Sequence, residues 1–277
     1  MLHEISPKQY HVEFTKKQPG DDAICFVFKG PEVLEKMVDD VLLLPTYGEL
    51  KEKVQKYIYL FAIDDTEYYL ADLKEGDVPE GYGWWIVRNA PEHRAQDQHF
   101  AEYTAYQLYV WYRDNQFCGR CGTHTEADGS LRMLRCPKCG NMIFPRITPA
   151  IMVAVTHEDK ILVTRYKGRA YKGYAMIAGF NEIGETAEET VRREVMEEVG
   201  LHVSEVKYYK SQPWGIDGNL MLGYFAKLDG SSEIDLDRQE LAQAAWLRRD
   251  ELDDQTIRYQ YSLAGDLVEA FRKGEHE

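Results

Sequence analysis

The stretch from residue 179 to residue 201 constrains this chain more than any other, because it places a run of carboxylates on one predicted helix. It reads GFNEIGETAEETVRREVMEEVGL. Thr186 and Glu189 have the spacing of a capping box, which predicts that a helix begins there. Gly200 stands where a left-handed residue can end that helix. Carboxylates at this density are typical ligands of hard divalent cations such as Mg²⁺.

The predicted helix has an apolar stripe beside an acidic face. The stripe consists of Ala187, Val191, Val195 and Val199, at four-residue spacing. Glu194, Glu197 and Glu198 stand at i, i+3 and i+4 and therefore share one arc. Like charges on adjacent turns cost about 0.2–0.5 kcal/mol per pair, and a bound cation reverses that cost. A solvated acidic helix face is the alternative. The glycines of the preceding loop and the Arg193–Glu194 pair favour a metal site.

The segment also resembles the Nudix box, the signature of a family of hydrolases. The matching positions are Gly179, Glu185, Arg193, Glu194, Val195, Glu197, Glu198, Gly200 and Leu201. The resemblance implies an α/β/α sandwich with this helix facing a mixed sheet. It also implies hydrolysis of a nucleoside diphosphate linked to another moiety, with Mg²⁺ or Mn²⁺ as cofactor.

The resemblance assigns roles to individual residues. It implies that Glu194, Glu197 and Glu198 are catalytic and that they bind two or three divalent ions, together with Glu240 and the backbone carbonyl of Ala178. Glu197 is a candidate general base. The structural positions of the box are Gly179, Glu185, Arg193 and Gly200, and we expect Glu185 and Arg193 to form an ion pair.

Two cysteine pairs form a second motif. Cys118 and Cys121, and then Cys136 and Cys139, make two C-x2-C-G knuckles with fourteen residues between them. This is the ligand set of a structural zinc site with four thiolates. Disulfides or a redox pair are the alternatives, and the paired knuckles favour one structural Zn²⁺. The fifth cysteine, Cys25, lies in an apolar run and is expected to be a buried thiol.

A zinc ribbon directly before a Nudix domain resembles the NADH pyrophosphatases, some of which also remove NAD caps from RNA. The family's second motif begins here as Ser211-Gln212-Pro213-Trp214 and then departs from the usual Pro-Phe-Pro-x-Ser. The resemblance implies substrate contacts at Gln212, Pro213, Trp214, Gly215, Ile216, Asp217, Gly218 and Asn219. Further contacts are implied at Phe144, Arg88 and Ala264. The loss of prolines and of an aromatic residue predicts a looser loop.

The predicted fold class is α+β: a Nudix α/β/α sandwich preceded by a four-cysteine zinc ribbon and an N-terminal α+β domain. The predicted domains are residues 1–112, 113–145 and 146–277. Strands are expected near 23–28, 57–63, 68–72, 150–156, 160–164, 174–179, 220–227 and 244–247. Helices are expected near 31–43, 100–112 and 262–273, with a turn at 250–252.

Composition sets further bounds on function. The formal net charge of −14 argues against broad nonspecific binding of nucleic acid. The segment from Arg113 to Arg146, however, contains six basic residues and only three acidic ones. This surplus of positive charge either offsets the negative charge of a four-thiolate zinc centre or forms a contact surface for RNA. No apolar run approaches the roughly 20 residues that span a bilayer. With no signal peptide visible, the chain is expected to be cytoplasmic with no membrane contact, and the resemblance implies a homodimer.

Three functions remain open from the sequence. The first is a diphosphatase acting on NADH or NAD⁺, which yields AMP and nicotinamide mononucleotide. The second is removal of the NAD cap from RNA, or hydrolysis of another nucleoside diphosphate linked to a second moiety, such as ADP-ribose. The third is a ligand-binding regulator without turnover, which the intact set of glutamates argues against.

Overall fold

The computed structural model describes residues 1–74, 76–89, 94–168, 173–253 and 261–275. The chain divides into two compact units. One comprises Ile147–Pro213 and Asn219–Glu277 together with Met1, and the other comprises Leu2–Arg146 and Trp214–Gly218. Helices and sheets occur in both units, as an α+β fold requires. The predicted division of the first 145 residues into an N-terminal domain and a ribbon remains a prediction.

The unit containing Leu2–Arg146 has three sheets. One has the strand order β1-β6-β7-β2, in a second β4 pairs with β3, β5 and β8, and the third has the order β11-β10-β9. The strands are β1 (Tyr10–His11), β2 (Ile24–Phe26), β3 (Phe28–Lys29), β4 (Glu32–Val38), β5 (Val41–Leu43), β6 (Val54–Ile63), β7 (Thr66–Leu73), β8 (Tyr82–Ile86), β9 (Glu126–Ala127), β10 (Leu134–Arg135) and β11 (Met142–Ile143). The helices are α1 (Tyr47–Leu50) and α2 (Gln96–Asp114), with a 3-10 turn at Val87–Asn89.

The helix predicted at 31–43 is wrong, because this segment forms the hairpin β4–β5. Its turn contains Asp39 and Asp40, both with positive φ (48° and 63°), and no α-helix continues through such residues. Tertiary contacts override the helix-forming residues of the segment. Glu35 of β4 is buried, and its two carboxylate oxygens accept hydrogen bonds from Arg94 Nη2 at 2.6 and 2.7 Å. Arg94 also pairs with buried Glu102 of α2, so the strand is tied to that helix.

Helix α2 confirms the helix predicted near 100–112, and it carries several aromatic residues. Phe100 packs edge-on against Tyr10 of β1, with ring centroids 5.1 Å apart. Tyr109 stacks on Phe28 of β3 at 5.0 Å, and its hydroxyl accepts a hydrogen bond from the Gly30 amide. The aromatic side of α2 is therefore part of the core of its own unit.

His99 of α2 gives this unit a predicted pH dependence. Burial, assisted by the Arg94 guanidinium, lowers the pKa of His99 from 6.5 to about 4. Between these two pH values the unfolded chain binds more protons at His99 than the folded chain does. The contribution of neutral His99 to the free energy of unfolding is therefore fully present above pH 6.5 and is lost as the pH falls towards 4. Because the ring is partly solvated, we expect a loss on the order of 1 kcal/mol. The free energy of unfolding, measured with urea between about pH 7 and pH 4.5, should not show this loss in His99→Leu. It should still show the loss in the control His202→Gln, because His202 is exposed.

The other unit is built on one six-stranded mixed sheet. The strand order is β15-β16-β12-β13-β17, and β14 also pairs with β12. The strands are β12 (Thr148–His157), β13 (Lys160–Tyr166), β14 (Ile177–Phe180), β15 (Val203–Trp214), β16 (Asn219–Leu228) and β17 (Leu241–Arg248). The helices are α3 (Ala187–Val199) and α4 (Leu263–Lys273), and a 3-10 turn spans Arg249–Glu251.

The central strand β12 explains how this sheet positions the acidic helix. It runs parallel to β16 from Thr148 to Thr156, and its other edge pairs antiparallel with β14 and then with β13. The predicted β12–β13 hairpin is confirmed, with Glu158 at a positive φ of 53° in its turn. Strand β14 ends at Phe180, and the chain leaves the sheet there towards α3.

Helix α3 has the boundaries that its sequence predicts. Thr186 is the N-cap in a reciprocal capping box with Glu189, and Gly200 ends the helix with φ 68°. Val191, Val195 and Val199 are fully buried and pack in the core against residues of the sheet such as Ile151. Each buried valine stabilises the fold by roughly 1.5–3 kcal/mol. Burial of this stripe fixes the rotation of the helix and so decides which way its glutamates point.

Helix α4 is also confirmed, and Ser262 caps it by accepting a hydrogen bond from the Gly265 amide at 3.1 Å. None of the helices in the described ranges is both long and apolar enough to cross a bilayer.

Candidate metal and pyrophosphate site

The loop between β14 and α3 is held by one arginine. Arg193 donates to both carboxylate oxygens of Glu185, at 2.7 and 2.9 Å, and to the Phe180 carbonyl at 3.0 Å. The predicted ion pair between Glu185 and Arg193 is therefore present. The same guanidinium, together with the Thr190 hydroxyl, lowers the pKa of Glu185 to about 2. These bonds fasten both ends of the loop to the second turn of α3.

Thr190 supports this loop and was not predicted from the sequence. It is fully buried and donates to Glu185 Oε2 at 2.9 Å, while Asn181 Nδ2 donates to its hydroxyl at 3.0 Å. The available signal was its position four residues after the N-cap Thr186, where a threonine faces the loop rather than solvent.

The Glu194 carboxylate lies directly over Gly179. A Cβ at Gly179 would come within 2.0 Å of both Cδ and Oε1 of Glu194. Burial raises the pKa of Glu194, the Arg193 guanidinium opposes this rise, and the carboxylates of Glu197 and Glu240 add to it. The carboxylates of Glu197 and Glu240 thus add negative charge around Glu194, which lies against Gly179 of β14.

The other predicted acidic ligands differ in exposure. Glu198 is 3% exposed, whereas the Glu197 side chain is 59% exposed and accepts from Arg193 Nη1 at 3.0 Å. Glu240 is exposed in the turn before β17, and its carbonyl accepts from the Lys167 amide. The glutamates do not converge as closely as the cysteines do. Within the described residues, only the cysteines form a set of three or more ligands whose donor atoms all lie within 4.8 Å of one another.

The donor set around Glu194 nevertheless fits a hard divalent cation. It consists of carboxylate oxygens, to which the resemblance adds the Ala178 carbonyl, and oxygen atoms of both kinds are ligands that Mg²⁺ and Mn²⁺ prefer. Burial is the main cause of the raised Glu194 pKa, and the carboxylates of Glu197 and Glu240, which add to that rise, carry charge that such a cation would neutralise. The space that Gly179 leaves for the Glu194 carboxylate is part of this arrangement.

Replacing Gly179 with Ala should therefore reduce activity while leaving the chain folded. The new Cβ would displace the Glu194 carboxylate, and a displacement of about 1 Å can cost roughly 100-fold in rate. Gly83→Ala is the matched control, because its Cβ would meet only the Trp85 Nε1 atom at 3.7 Å. Steady-state rates of the two variants with Mg²⁺ test this, and equal rates would contradict the close contact.

The four cysteines of the second motif converge on one point. The Sγ atoms of Cys118 and Cys139, and of Cys121 and Cys139, are 3.6 Å apart, and those of Cys121 and Cys136 are 3.4 Å apart. A tetrahedral zinc at about 2.3 Å from each sulfur requires separations of about 3.8 Å. The donor set therefore fits one structural zinc with no open coordination position.

The glycine after each knuckle makes the turn possible. Gly122 and Gly140 both have φ 71°, and their amides donate to the carbonyls of Cys118 and Cys136 at 2.8 and 3.0 Å. Backbone amides also donate to the sulfurs; the Arg120 amide, for example, lowers the pKa of Cys118. These amides stabilise thiolate charge.

Three of the six basic residues around this ribbon already have partners in the fold. Arg113 pairs with Asp114, and Arg135 with Asp128. Arg132 is partly buried, donates to the carbonyls of Val12 and Leu60, and lies over the Phe14 ring. The uneven charge seen in the sequence therefore has partly structural causes, which weakens the case for an RNA-contact patch.

Two of the predicted substrate contacts lie at the start of α4. Gln212 of β15 is 1% exposed, donates to the Tyr261 carbonyl at 2.8 Å and accepts from the Leu263 amide at 2.7 Å. Both polar ends of this side chain are therefore used within the fold. Ala264 is buried in the first turn of the helix. Pro213 is exposed near the end of β15, and Asn219 begins β16.

The remaining predicted contacts belong to the other unit. Phe144 follows β11 and is 53% exposed. Arg88 forms an ion pair with Asp217 in the turn Trp214–Gly218, which also contains Gly215, Ile216 and Gly218. Tyr103 of α2, whose carbonyl lies against Gly215, was not among the residues predicted to contact substrate. The sequence feature that could have pointed to Tyr103 is the regular spacing of aromatic residues along α2.

Family models match two parts of the chain. Residues 146–264 match the NUDIX domain, and residues 113–144 match the NADH pyrophosphatase zinc ribbon domain. These ranges contain the acidic helix and the four cysteines.

Curated relatives extend the similarity. A protein from Pseudomonas aeruginosa named NAD-capped RNA hydrolase NudC is 36% identical over 203 residues, which cover 73% of this chain and 72% of that protein. A protein of the same name from Salmonella typhi is 40% identical over 146 residues, or 53% of this chain and 56% of that protein. Among solved structures, a NUDIX hydrolase from Nitrosomonas europaea matches the fold with a TM-score of 0.50 at 21% identity, covering 58% of this chain and 93% of that one. This chain belongs to the Nudix hydrolases, in the group that carries an NADH pyrophosphatase zinc ribbon.

Proposed function

We propose that the chain hydrolyses the pyrophosphate bond of NADH and NAD⁺ to AMP and nicotinamide mononucleotide, the latter reduced when NADH is the substrate. The observation that carries the proposal is the acidic centre of α3, where Glu194 lies over Gly179 and Glu198 is buried on the same helix. The relatives that bear the name NAD-capped RNA hydrolase support a dinucleotide as the substrate class.

In this proposal, Glu194, Glu197, Glu198 and Glu240 hold two or three Mg²⁺ or Mn²⁺ ions together with the Ala178 carbonyl. When bound, such ions neutralise pyrophosphate oxygens and lower the pKa of water. Glu197, the most exposed carboxylate of α3 in this set, accepts the proton of the attacking water. Arg193 keeps the loop and helix in register while the substrate is held in line with that water.

Removal of the NAD cap from RNA is the second candidate, and the names of the relatives favour it. Within the described ranges, Arg120, Lys138 and Arg146 form no ion pair and are candidates for contact with RNA, whereas Arg113, Arg132 and Arg135 have partners in the fold. A net charge of −14 opposes tight binding of the RNA body. A cytoplasmic location and a homodimer are also part of the proposal.

Initial rates on NADH, NAD⁺, ADP-ribose and NAD-capped RNA, each with Mg²⁺ and then Mn²⁺, test this proposal. NADH and NAD⁺ should be cleaved in a strictly cation-dependent reaction. If capped RNA is the main substrate, its kcat/KM should exceed that of NADH and fall steeply with salt. Cleavage of ADP-ribose alone, or of none of the four, would contradict the proposed function.

A further inference from the structure

The turn Trp214–Gly218 connects β15 to β16 and contains no proline. Its backbone is closed by weak hydrogen bonds, from the Asp217 amide to the Trp214 carbonyl at 3.3 Å and from the Gly218 amide to the Gly215 carbonyl at 3.2 Å. Gly218 adopts φ 70°, which favours glycine. These backbone bonds alone would leave the Trp214 side chain free to change rotamer.

Asp217 supplies the missing constraint on one side of the turn. One carboxylate oxygen accepts from Arg88 Nη2, and the other accepts from Trp214 Nε1 at 3.1 Å. Each carboxylate oxygen of Asp217 thus binds a different partner. Asp217 therefore links the Trp214 indole to Arg88, which lies in the 3-10 turn Val87–Asn89. Because both partners of the ion pair are about half exposed, the pair adds little to overall stability.

Helix α2 constrains the turn from another direction. The Trp214 ring meets the Tyr103 ring edge-to-face, with centroids 5.5 Å apart and planes at 89°. Gly215 packs so closely on the backbone of α2 that a Cβ there would lie 2.3 Å from the Tyr103 carbonyl oxygen. The turn is therefore held by a polar contact and by close backbone packing, and the looser loop expected from the sequence has specific compensating contacts.

We propose that Asp217 is a positioning residue that fixes the Trp214 indole for substrate binding and does not itself contact the substrate. This inference rests on the proposed function and on the prediction from the sequence that Trp214 contacts the dinucleotide. An indole that is already ordered loses no rotamer freedom when the substrate binds, and ordering one such side chain costs enough to change affinity about 3- to 10-fold.

The test compares Asp217→Ala and Asp217→Asn with the control Asp250→Ala, which breaks an exposed ion pair with Arg248 in the other unit. Asp217→Ala should raise the KM for NADH about 3- to 10-fold with kcat unchanged. Asp217→Asn keeps an acceptor for the indole N–H but loses the charge, so its KM should lie between wild type and Asp217→Ala. The control should leave both constants unchanged.

A second readout does not depend on turnover. The fluorescence difference between a protein and its Trp214→Phe derivative isolates the signal of this indole, and anisotropy of that signal should fall in the Asp217→Ala background. An unchanged KM with unchanged anisotropy, or a fall in kcat at constant KM, would overturn the inference. Failure of the wild type to hydrolyse any dinucleotide would contradict the proposed function, and the anisotropy would still decide whether Asp217 fixes Trp214.

Discussion

Glu198→Gln is expected to abolish divalent-cation-dependent hydrolysis of NADH, with a fall in kcat of about three orders of magnitude. The substitution keeps the volume of the side chain but removes the negative charge of the buried carboxylate on α3. Loss of one carboxylate ligand of a catalytic cation costs several kcal/mol of transition-state stabilisation, and each ~1.36 kcal/mol is a factor of ten in rate. Steady-state kinetics over a range of Mg²⁺ concentrations measure this loss.

Glu269→Gln on α4 is the matched control, because Glu269 is a helical carboxylate that pairs with Arg272 and Lys273 at the surface. It should retain wild-type kcat. The melting temperature of Glu198→Gln should stay within a few degrees of wild type, since no cavity is created. Undiminished activity of Glu198→Gln would show that this residue holds no catalytic cation.

Cys136→Ser is expected to release the structural zinc and unfold the ribbon. Cys136 is almost fully buried, and its sulfur lies 3.4 Å from that of Cys121. Three thiolates cannot complete the tetrahedral set, and zinc contributes roughly 10–16 kcal/mol to folding of isolated zinc-finger peptides. Bound zinc, measured by elemental analysis, should fall from one ion per chain to nearly none. Amide exchange should become fast throughout β9, β10 and β11.

Cys25→Ala is the control for this experiment, because Cys25 is a fully buried thiol of β2 whose pKa burial raises to about 12. That variant should keep one zinc per chain, although it loses some packing. Retention of zinc by Cys136→Ser would contradict the four-cysteine site. Disulfides in the native protein, detected as a deficit of titratable thiols after denaturation with a zinc chelator, would also contradict it.

The acidic helix could be predicted from sequence because its determinants are local. Thr186, Glu189 and Gly200 mark its ends within one short segment, and the valines of its apolar stripe repeat every turn. The zinc ligands are similarly local, since each pair lies in one turn and only the two pairs must meet. Such local determinants do not depend on contacts with distant parts of the chain, so they can be recognised in the sequence alone.

The mistaken helix at 31–43 shows the limit of this reasoning. Glu32, Leu34, Lys36 and Met37 are residue types common in helices, yet they lie in β4, which pairs with β3, β5 and β8. The ion pair between Glu35 and Arg94 joins residues 59 positions apart. The residues near Glu35 in the sequence do not indicate that Arg94 is its partner.

The site shows the same division between local and distant determinants. The pair of Glu185 and Arg193 was predicted because both belong to one short motif. Arg88 and Asp217 are 129 residues apart in the sequence and form an ion pair with each other. Both were predicted only as substrate contacts, and the sequence did not indicate this pairing. Gln212 was predicted to contact substrate, and its carboxamide forms hydrogen bonds with backbone groups at the start of α4, 49 to 51 residues away along the chain.

The most direct test of the account is product analysis of NADH hydrolysis in ¹⁸O-labelled water with and without Mg²⁺ or Mn²⁺. If the acidic centre of α3 directs water at the pyrophosphate, the products are AMP and reduced nicotinamide mononucleotide, and one of them carries a single ¹⁸O in its phosphate. The reaction should stop when the divalent cation is removed. Hydrolysis that continues without the cation, or products in which the pyrophosphate is intact, would contradict the account.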